Sequence, residues 1–535
     1  MSTPTAKPIA RMAGAVMFLI LISRLLGLVR ERAVAVVFGQ NWQTDAFTAA
    51  FGIPDLMFFL LVGGGLNAAF IPVFTSYLAK GEEEEGWRVA WTFFFLGTLF
   101  LLAFTILGMV FAPYLAPLVA HGFVGRQRML LIDLMRVMFP AVFFTAAAGL
   151  GMGIHKSYRS FTMPLLGPIF YNAAIIAGTY GLARYYGIMG MAAGTVIGAA
   201  GNCLIQLPFF IRKSRPFRFI IDIKHPGIKR IFYLMGPAVV SGSIVQLNMI
   251  ITRNLASALP EGSIRALQTA NTLVQFPLGV FAMGIGMIIL PTLSGLAAKG
   301  ESDDFRRTFS EGLRLVLFIT IPAAGGLAVL RVPLIRLLFE AGEFTAADTA
   351  QAAYALLFYS LGIISQAAVQ ILVQVYYSLQ DTRTLVRVSG TAIFLNTTLS
   401  LIFLRFTPLA HGGLALAYSL TSMINMLSYL FQLRRHIGHI DGRRLVRSSC
   451  LSLLATTIMG CAVLFTNKLL TYLWQIAGLG WGWGWRLTEV IIGVGCGVIA
   501  YILAAYLLRM EEVHFIRQIF SRSPRLSEDS ASDLS

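Results

Sequence analysis

The chain has 535 residues, 57% of them hydrophobic and 13% charged, against roughly 25% charged in soluble domains. So few charges cannot cover a water-facing surface, which excludes a string of soluble domains and makes lipid the main solvent. The formal net charge of +17 sits in connections between apolar segments, which argues against nucleic acid as partner and for membrane topology and anionic lipid headgroups.

A membrane helix needs about 20 apolar residues. In chain order the candidates are 9–37, 46–79, 87–116, 129–154, 162–183, 187–211, 230–256, 264–297, 308–328, 350–378, 384–404, 411–433, 445–470 and 483–508. The expected fold class is an all-α membrane protein of about fourteen transmembrane helices. The polar start, Met1 to Pro8, leads into the first apolar run without a cleavage signal, so that run is expected to be retained. Val332 to Phe339 is too short to span. Trp481, Trp483 and Trp485 before the last segment suggest an interfacial aromatic belt. The serine-rich tail, 511–535, is expected to be disordered and cytoplasmic.

Lys and Arg concentrate in alternate connections. The one after segment 6 carries Arg212, Lys213, Arg215, Arg218, Lys224, Lys229 and Arg230. The one after segment 12 carries Arg434, Arg435, Arg443, Arg444 and Arg447. The positive-inside rule then puts both termini in the cytoplasm. A repeat supports two parallel halves. Pro72, Lys80, Gly81 and Glu82 recur at equal spacing as Pro291, Lys299, Gly300 and Glu301. The expected organisation is an N-terminal lobe over 1–212 (helices 1–6) and a basic cytoplasmic connection over 213–224. A C-terminal lobe over 225–437 (helices 7–12) and helices 13–14 over 438–510 complete it. Two six-helix lobes around a central cavity is a transporter design.

Charge inside a membrane is costly and marks a pathway or a paired site. Arg24 and Glu31, seven residues apart, share one face of segment 1, and Arg30 and Arg32 flank it. Asp55 follows Pro54 in segment 2. Asp45 begins that helix, where a carboxylate can cap exposed amides. Arg253 and Arg265 flank the turn between segments 7 and 8. Asp133 and Arg136 are spaced to pair along one helix. The planar guanidinium fork suits phosphate, so a cavity rich in arginine should accept an anion such as a diphosphate-linked lipid rather than a cationic drug. Nothing marks a catalytic centre or a metal site: Cys203, Cys450, Cys461 and Cys496 are scattered, and His155 beside Lys156 reads as part of a solvated basic patch. The expectation is therefore not an enzyme, and no cofactor.

At the level of motifs the chain resembles the MurJ (MviN) family of lipid II flippases. The likeness rests on Ser23-Arg24-Leu-Leu-Gly27 with Arg30-Glu31, on Phe38-Gly39 with Thr44-Asp45-Ala-Phe47, and on Ala68-Ala-Phe70-Ile-Pro72. It continues through Pro164, Pro168 and Asn172, Phe276-Pro277, Gly312-Leu-Arg314, Gly342-Glu-Phe-Thr345, and Tyr376-Tyr-Ser378-Leu-Gln-Asp381. The resemblance implies alternating access that carries a diphosphate-sugar-peptide headgroup across the inner (cytoplasmic) membrane while the polyprenyl tail stays in a side groove. It implies that Arg24 and Arg30 bear on substrate, and that Asp45 matches a family acid. It further implies Asp381 and Thr397 as residues coupling transport to Na+, H+ or the membrane potential, and lipid II, membrane lipids and cell-wall synthesis proteins as partners.

Two stretches depart from the family pattern. Segment 2 reads Pro54-Asp55-Leu-Met-Phe58-Phe59 where the family carries Asn, paired arginines and a glutamate. Segment 8 reads Asn271-Thr272-Leu-Val-Gln275-Phe276 where the family carries an Asp-Arg pair and a glutamate. Charges of both signs are missing together, which suggests a rewired cavity in which Arg253 and Arg265 supply lost positive charge. The departures keep two alternatives open: an exporter of another polyprenyl-diphosphate-linked saccharide, and a non-transporting envelope scaffold.

Overall fold

Inside a membrane every backbone N–H and C=O must be satisfied within its own segment, so long apolar runs close into helices. The structure, a computed structural model, describes residues 6–60, 66, 69–158, 160, 162–214, 220–438, 441–478, 480 and 482–513. Nineteen helices are defined: α1 (Ala6–Phe38), α2 (Trp42–Ala50), α3 (Gly52–Phe58), α4 (Ile71–Lys80), α5 (Glu83–Val119), α6 (Gly125–Ser157), α7 (Thr162–Ala177), α8 (Ala183–Tyr186), α9 (Ile188–Ser214) and α10 (Pro226–Ala256). They continue as α11 (Ser263–Pro277), α12 (Met283–Lys299), α13 (Ser302–Val329), α14 (Arg331–Phe339), α15 (Ala346–Ser378), α16 (Thr382–Phe406), α17 (Ala410–Ile437), α18 (Gly442–Ile476) and α19 (Trp483–Leu507). There is no strand among the described residues, and 11 helical stretches are long and apolar enough to cross a membrane. The all-α membrane class is as the composition requires. The three expected segments outside that set fall on α1, on α2 to α4, and on α10.

Segment 2, expected as one helix over 46–79, is broken instead. Pro54 lacks an N–H, and its ring collides with the carbonyl four residues earlier; α2 ends at that residue, Ala50. Phe59 and Leu60 follow α3 in a π-helical turn. π-Helical stretches also join α7 to α8, at Gly178–Leu182, and α11 to α12 after Pro277, at Leu278–Ala282. The repeat offset is 291 − 72 = 219 residues, and 278 − 219 = 59, so the π turns that begin at Phe59 and Leu278 occupy equivalent places. The ends of the repeated segments agree as well. Gly81 (φ +78°) and Gly300 (φ +74°) are left-handed caps, with Glu82 N donating to Tyr77 O and Glu301 N to Leu296 O. Acidic first turns follow in both α5 and α13.

The chain forms two compact units. The first comprises Met1–Thr272, Leu338–Ala355 and Leu385–Tyr418; the second comprises Leu273–Leu337, Leu356–Thr384 and Ser419–Ser535. In the first, α9 packs on α6 and α7, and α7 packs on α1. Phe70, Phe74, Trp87 and Phe93 form its aromatic core. In the second, α18 packs on α13 and α19, and the Tyr501 hydroxyl donates to Phe318 O at 2.7 Å. His155 corrects the reading of a solvated patch: it is fully buried, stacked on Phe209 with ring centroids 4.0 Å apart. Trp485 is also buried, 5.0 Å from Trp474, so of the expected belt Trp483 is exposed and Trp481 lies outside the described residues.

Candidate functional site: an arginine-rich pocket

Segment 1 carries its charges near its C-terminal end, and two glycines fix that end. Gly39 (φ +68°) lies so close to the turn before α15 that a Cβ would sit 2.5 Å from Glu343 O. Gly342 (φ +59°) has no room for a Cβ against Val36 O, and Glu343 N donates to that carbonyl at 2.9 Å. Side chains favour neither this φ nor this approach. Arg32 adds a 2.6 Å bond from Nη1 to Leu338 O.

Glu31 is then buried at the centre of an ion cluster. Its Oε1 accepts from Arg30 Nη2 at 2.7 Å, and its Oε2 lies 2.8 Å from Arg265 Nη2. Arg30 Nη1 donates to Asn172 Oδ1 at 3.1 Å, and Asn172 in turn reaches Ser23 O. A second pair, Arg253 with Asp55, is looser at 3.6 Å. Asn172 holds Arg30 but is not in the lining; Arg30, Glu31, Asp55, Arg253 and Arg265, with Phe47, Phe51, Tyr171 and Gln268, line a cavity of about 240 Å3. It holds three guanidinium groups and two carboxylates, an excess of one positive charge (3 − 2). Arg265 is 3% exposed, and its Nε has no hydrogen-bond partner among the described residues. A buried charged donor without a partner is costly, and Glu31 Oε2, for all its 2.8 Å approach to Arg265 Nη2, likewise makes no well-aligned hydrogen bond among the described residues.

Asp45 has a different place from the one its sequence position suggested. Asn41 caps α2, in a capping box with Thr44. The Asp45 carboxylate instead accepts from Gly262 N and Arg265 N, both at 2.7 Å. It therefore caps the first turn of α11, a helix more than two hundred residues away, and sets where Arg265 stands. It is buried, and it is not among the residues lining the pocket.

Of the expected substrate residues, Arg30, Asp55, Arg253 and Arg265 come together in this pocket, with Asp45 behind Arg265. Arg24 is half-buried on α1 and is not part of the lining. Asp381 caps α16 by accepting from Thr384 N at 3.1 Å and lies 3.7 Å from His436 Nε2. Thr397 sits within α16, and its buried hydroxyl has no hydrogen-bond partner among the described residues. Glu31, Tyr171, Asn172 and Gln268 were not singled out as site residues from the sequence. Glu31 had a signal there, a carboxylate amid three arginines, and Gln268 lies one turn after Arg265. The described residues contain no cluster of three or more His, Cys, Asp or Glu that could hold a metal. The pocket can bind and neutralise an anion.

Fold and pocket together are those of a multi-spanning membrane transporter with an arginine-rich cavity. A family model described as lipid II flippase MurJ matches residues 34–480, and the chain belongs to that family. A Vibrio cholerae protein described as a probable lipid II flippase MurJ is 33% identical over 505 residues, covering 91% of this chain and 94% of that protein. The lipid II flippase MurJ of Burkholderia cenocepacia is 28% identical, covering 78% and 82%. Among solved structures, a lipid II flippase MurJ in an inward closed conformation superposes with a TM-score of 0.78 at 24% identity, covering 94% of this chain and 99% of that one. An inward-facing MATE family transporter gives 0.67 at 14% identity over 78% and 96%. At these identities the structural likeness establishes the fold alone.

Proposed function

We propose that this protein carries lipid II, the lipid-linked peptidoglycan precursor, from the inner to the outer leaflet of the cytoplasmic membrane by alternating access, with both termini in the cytoplasm. One observation bears most of the weight: a pocket within the first unit lined by three arginines to two carboxylates. Guanidinium groups bind diphosphate oxygens through paired, charge-assisted hydrogen bonds. Family membership and the names of the relatives point the same way.

Glu31 acts as the resident counterion in this scheme. Burying guanidinium groups without any carboxylate costs several kcal/mol per ion, so the empty pocket needs it. An arriving diphosphate, with more oxygens and more charge, takes over Arg265 and Arg30, and its departure on the far side returns them to Glu31. The site thus never holds an uncompensated cluster, which keeps both end states accessible. Coupling through Asp381 and Thr397 to Na+, H+ or the membrane potential belongs to the same proposal; collapsing each gradient in turn in proteoliposomes separates the three.

Complementation tests the assignment. Cells depleted of their own lipid II flippase should grow with this gene and lyse with Arg30→Ala or Arg265→Ala at equal membrane abundance. Failure of the unaltered gene to rescue would remove the assignment. Asp55 and Gln275, which stand where the family carries other residues, favour a second reading: export of a different polyprenyl-diphosphate-linked saccharide. Loss of a surface polymer without lipid II accumulation, after deletion in the native host, would select that reading.

A further inference from the structure

Behind the arginine pocket lies a second chamber, also within the first compact unit. The two share Phe51, Asp55 and Tyr171 as a common wall. The second encloses about 290 Å3, and most of its lining is ring and aliphatic carbon, with Phe58 and Phe59 on one side and α6 on the other. Beyond the shared wall, its polar groups are neutral: Thr145 and Asn202. The Thr145 hydroxyl donates to Ala141 O at 2.6 Å and keeps its acceptor capacity. Asn202 is 5% exposed, and its Oδ1 has no hydrogen-bond partner among the described residues. One turn further along α9, Gln206 is 2% exposed, and neither its Oε1 nor its Nε2 has a partner there.

The surrounding helices are cut to admit these amides. A Cβ on Gly167 of α7 would collide with Asn202 Oδ1, and one on Gly151 of α6 would come within 2.7 Å of Gln206 Cβ. Leucine or methionine would fill the same volume without leaving buried polar atoms unpaired, a cost that packing alone does not justify. Neutral amide and hydroxyl groups beside aromatic faces suit an uncharged ligand with hydroxyls, an amide and apolar C–H faces. That is the chemistry of an N-acetylated sugar ring. The volume stands just below the roughly 300 Å3 lower bound of small-molecule pockets, enough for one ring rather than a disaccharide.

We propose that this chamber is a glycosyl subsite: it receives the N-acetylated hexose attached directly to the diphosphate, with Asn202 hydrogen-bonding the sugar and the Phe51–Tyr171 wall standing between sugar and phosphate sites. The inference rests on the lipid-linked diphosphate reading above. It accounts for an arginine-rich compartment adjoining a mostly apolar one whose only charged lining residue is the shared Asp55, as the two parts of a glycosyl diphosphate adjoin.

Binding to the purified full-length protein in nanodiscs separates the two claims. The probes are farnesyl diphosphate and farnesyl diphosphate bearing one N-acetylglucosamine. The unaltered protein should bind the glycosylated probe about tenfold more tightly, the worth of one or two net hydrogen bonds. Asn202→Leu should erase that advantage and leave the bare diphosphate unchanged, while Arg265→Ala should weaken both. Thr145→Leu, which fills the chamber from α6, gives an independent measurement should Asn202→Leu fail to fold, and should likewise remove only the sugar advantage. A sugar advantage that survives in the folded variants overturns the subsite and leaves the arginine site standing. So does an equal loss of both probes in a variant of unchanged melting temperature, which would mark the amide as structural. No binding of either probe by the unaltered protein would overturn the arginine site and the subsite with it.

Discussion

In the first compact unit one carboxylate serves two guanidinium groups; in the second, one guanidinium serves two carboxylates. Glu31 stands between Arg30 and Arg265 at 2.7 and 2.8 Å. Arg314 of α13 reaches Glu511 at 2.7 Å and Glu512 at 2.6 Å, and Glu512 also accepts from Ser448 of α18 at 2.8 Å. The ingredients are the same and the distances nearly so. What differs is which sign is left over. Around Glu31 there are more cations than carboxylates, an Arg265 nitrogen and a Glu31 oxygen both lack a hydrogen-bond partner among the described residues, and the cluster opens on a cavity. Around Arg314 two carboxylates share one guanidinium, Ser448 adds a donor, Arg444 and Arg447 add positive charge near Glu511, and the cluster ties the residues after α19 to α13 and α18 beside a cavity of about 600 Å3 lined almost wholly by charged residues. Buried ion pairs are weak proof of stability in themselves; the comparison sets a cluster in which two guanidinium groups share one carboxylate against one in which two carboxylates share one guanidinium.

Arg265→Glu should break the comparison most severely. It sets a second carboxylate against Glu31 and leaves Arg30 as the only cation beside them. We expect a loss of about 3–5 kcal/mol of stability and no rescue of flippase-depleted cells, read by melting temperature and growth. Arg253→Glu should be milder, because its pair with Asp55 is longer and that carboxylate is 39% exposed. Arg314→Ala comes next, costing about 2–4 kcal/mol because Glu512 stays buried without its cation. The protein that remains folded should still transport. Equal loss of transport per folded molecule in Arg265→Glu and Arg314→Ala would erase the distinction drawn above.

Asp45→Asn should be smaller again, about 1–2 kcal/mol, since one of its two charge-assisted acceptors becomes a donor facing a backbone N–H. Its effect on substrate affinity should resemble a weakened Arg265, measurable as a higher Kd for farnesyl diphosphate. The smallest effect concerns pH. The hydrogen bond from Arg314, with its charge, holds the Glu511 carboxyl below the usual carboxylate range. A depressed native pKa means that this contribution is complete above the ordinary value of about 4.3 and is lost as acid takes the pH down through the native one. Glu511→Gln should therefore flatten the melting temperature slightly between pH 5 and pH 3, and added salt should shrink the difference.

The helical membrane body was legible from composition because the lack of charge leaves lipid as the only solvent. The repeat was legible because Gly81 and Gly300 are required by the left-handed caps they form, and that requirement survives in sequence. The break in segment 2 was less so: Pro54 announced it, but hydropathy runs straight through. In the pocket, Arg30, Arg253 and Arg265 were found by their charge. Gln268, in the lining, and Asn172, which holds Arg30 from outside it, are neutral residues, and only contact shows their place. Asp45 misled for a definable reason. A carboxylate near a helix start predicts a cap for its own helix, and nothing local says that a helix 217 residues away will take it. His155 misled likewise, since its neighbour Lys156 is exposed while the imidazole turns inward onto Phe209.

That long reach has a consequence for biogenesis. Asp45 and Glu31 enter the bilayer early, whereas Gly262 and Arg265 leave the ribosome about 217–234 residues later. At synthesis rates of about 5–20 residues per second, the delay is roughly 10–45 s. During that interval Glu31 has only its neighbour Arg30 as counterion, and Asp45 must be kept protonated, hydrated or shielded by the insertion machinery. A nascent chain truncated before Gly262 should thus be a better client for membrane chaperones and quality-control proteases than one extended past Arg265.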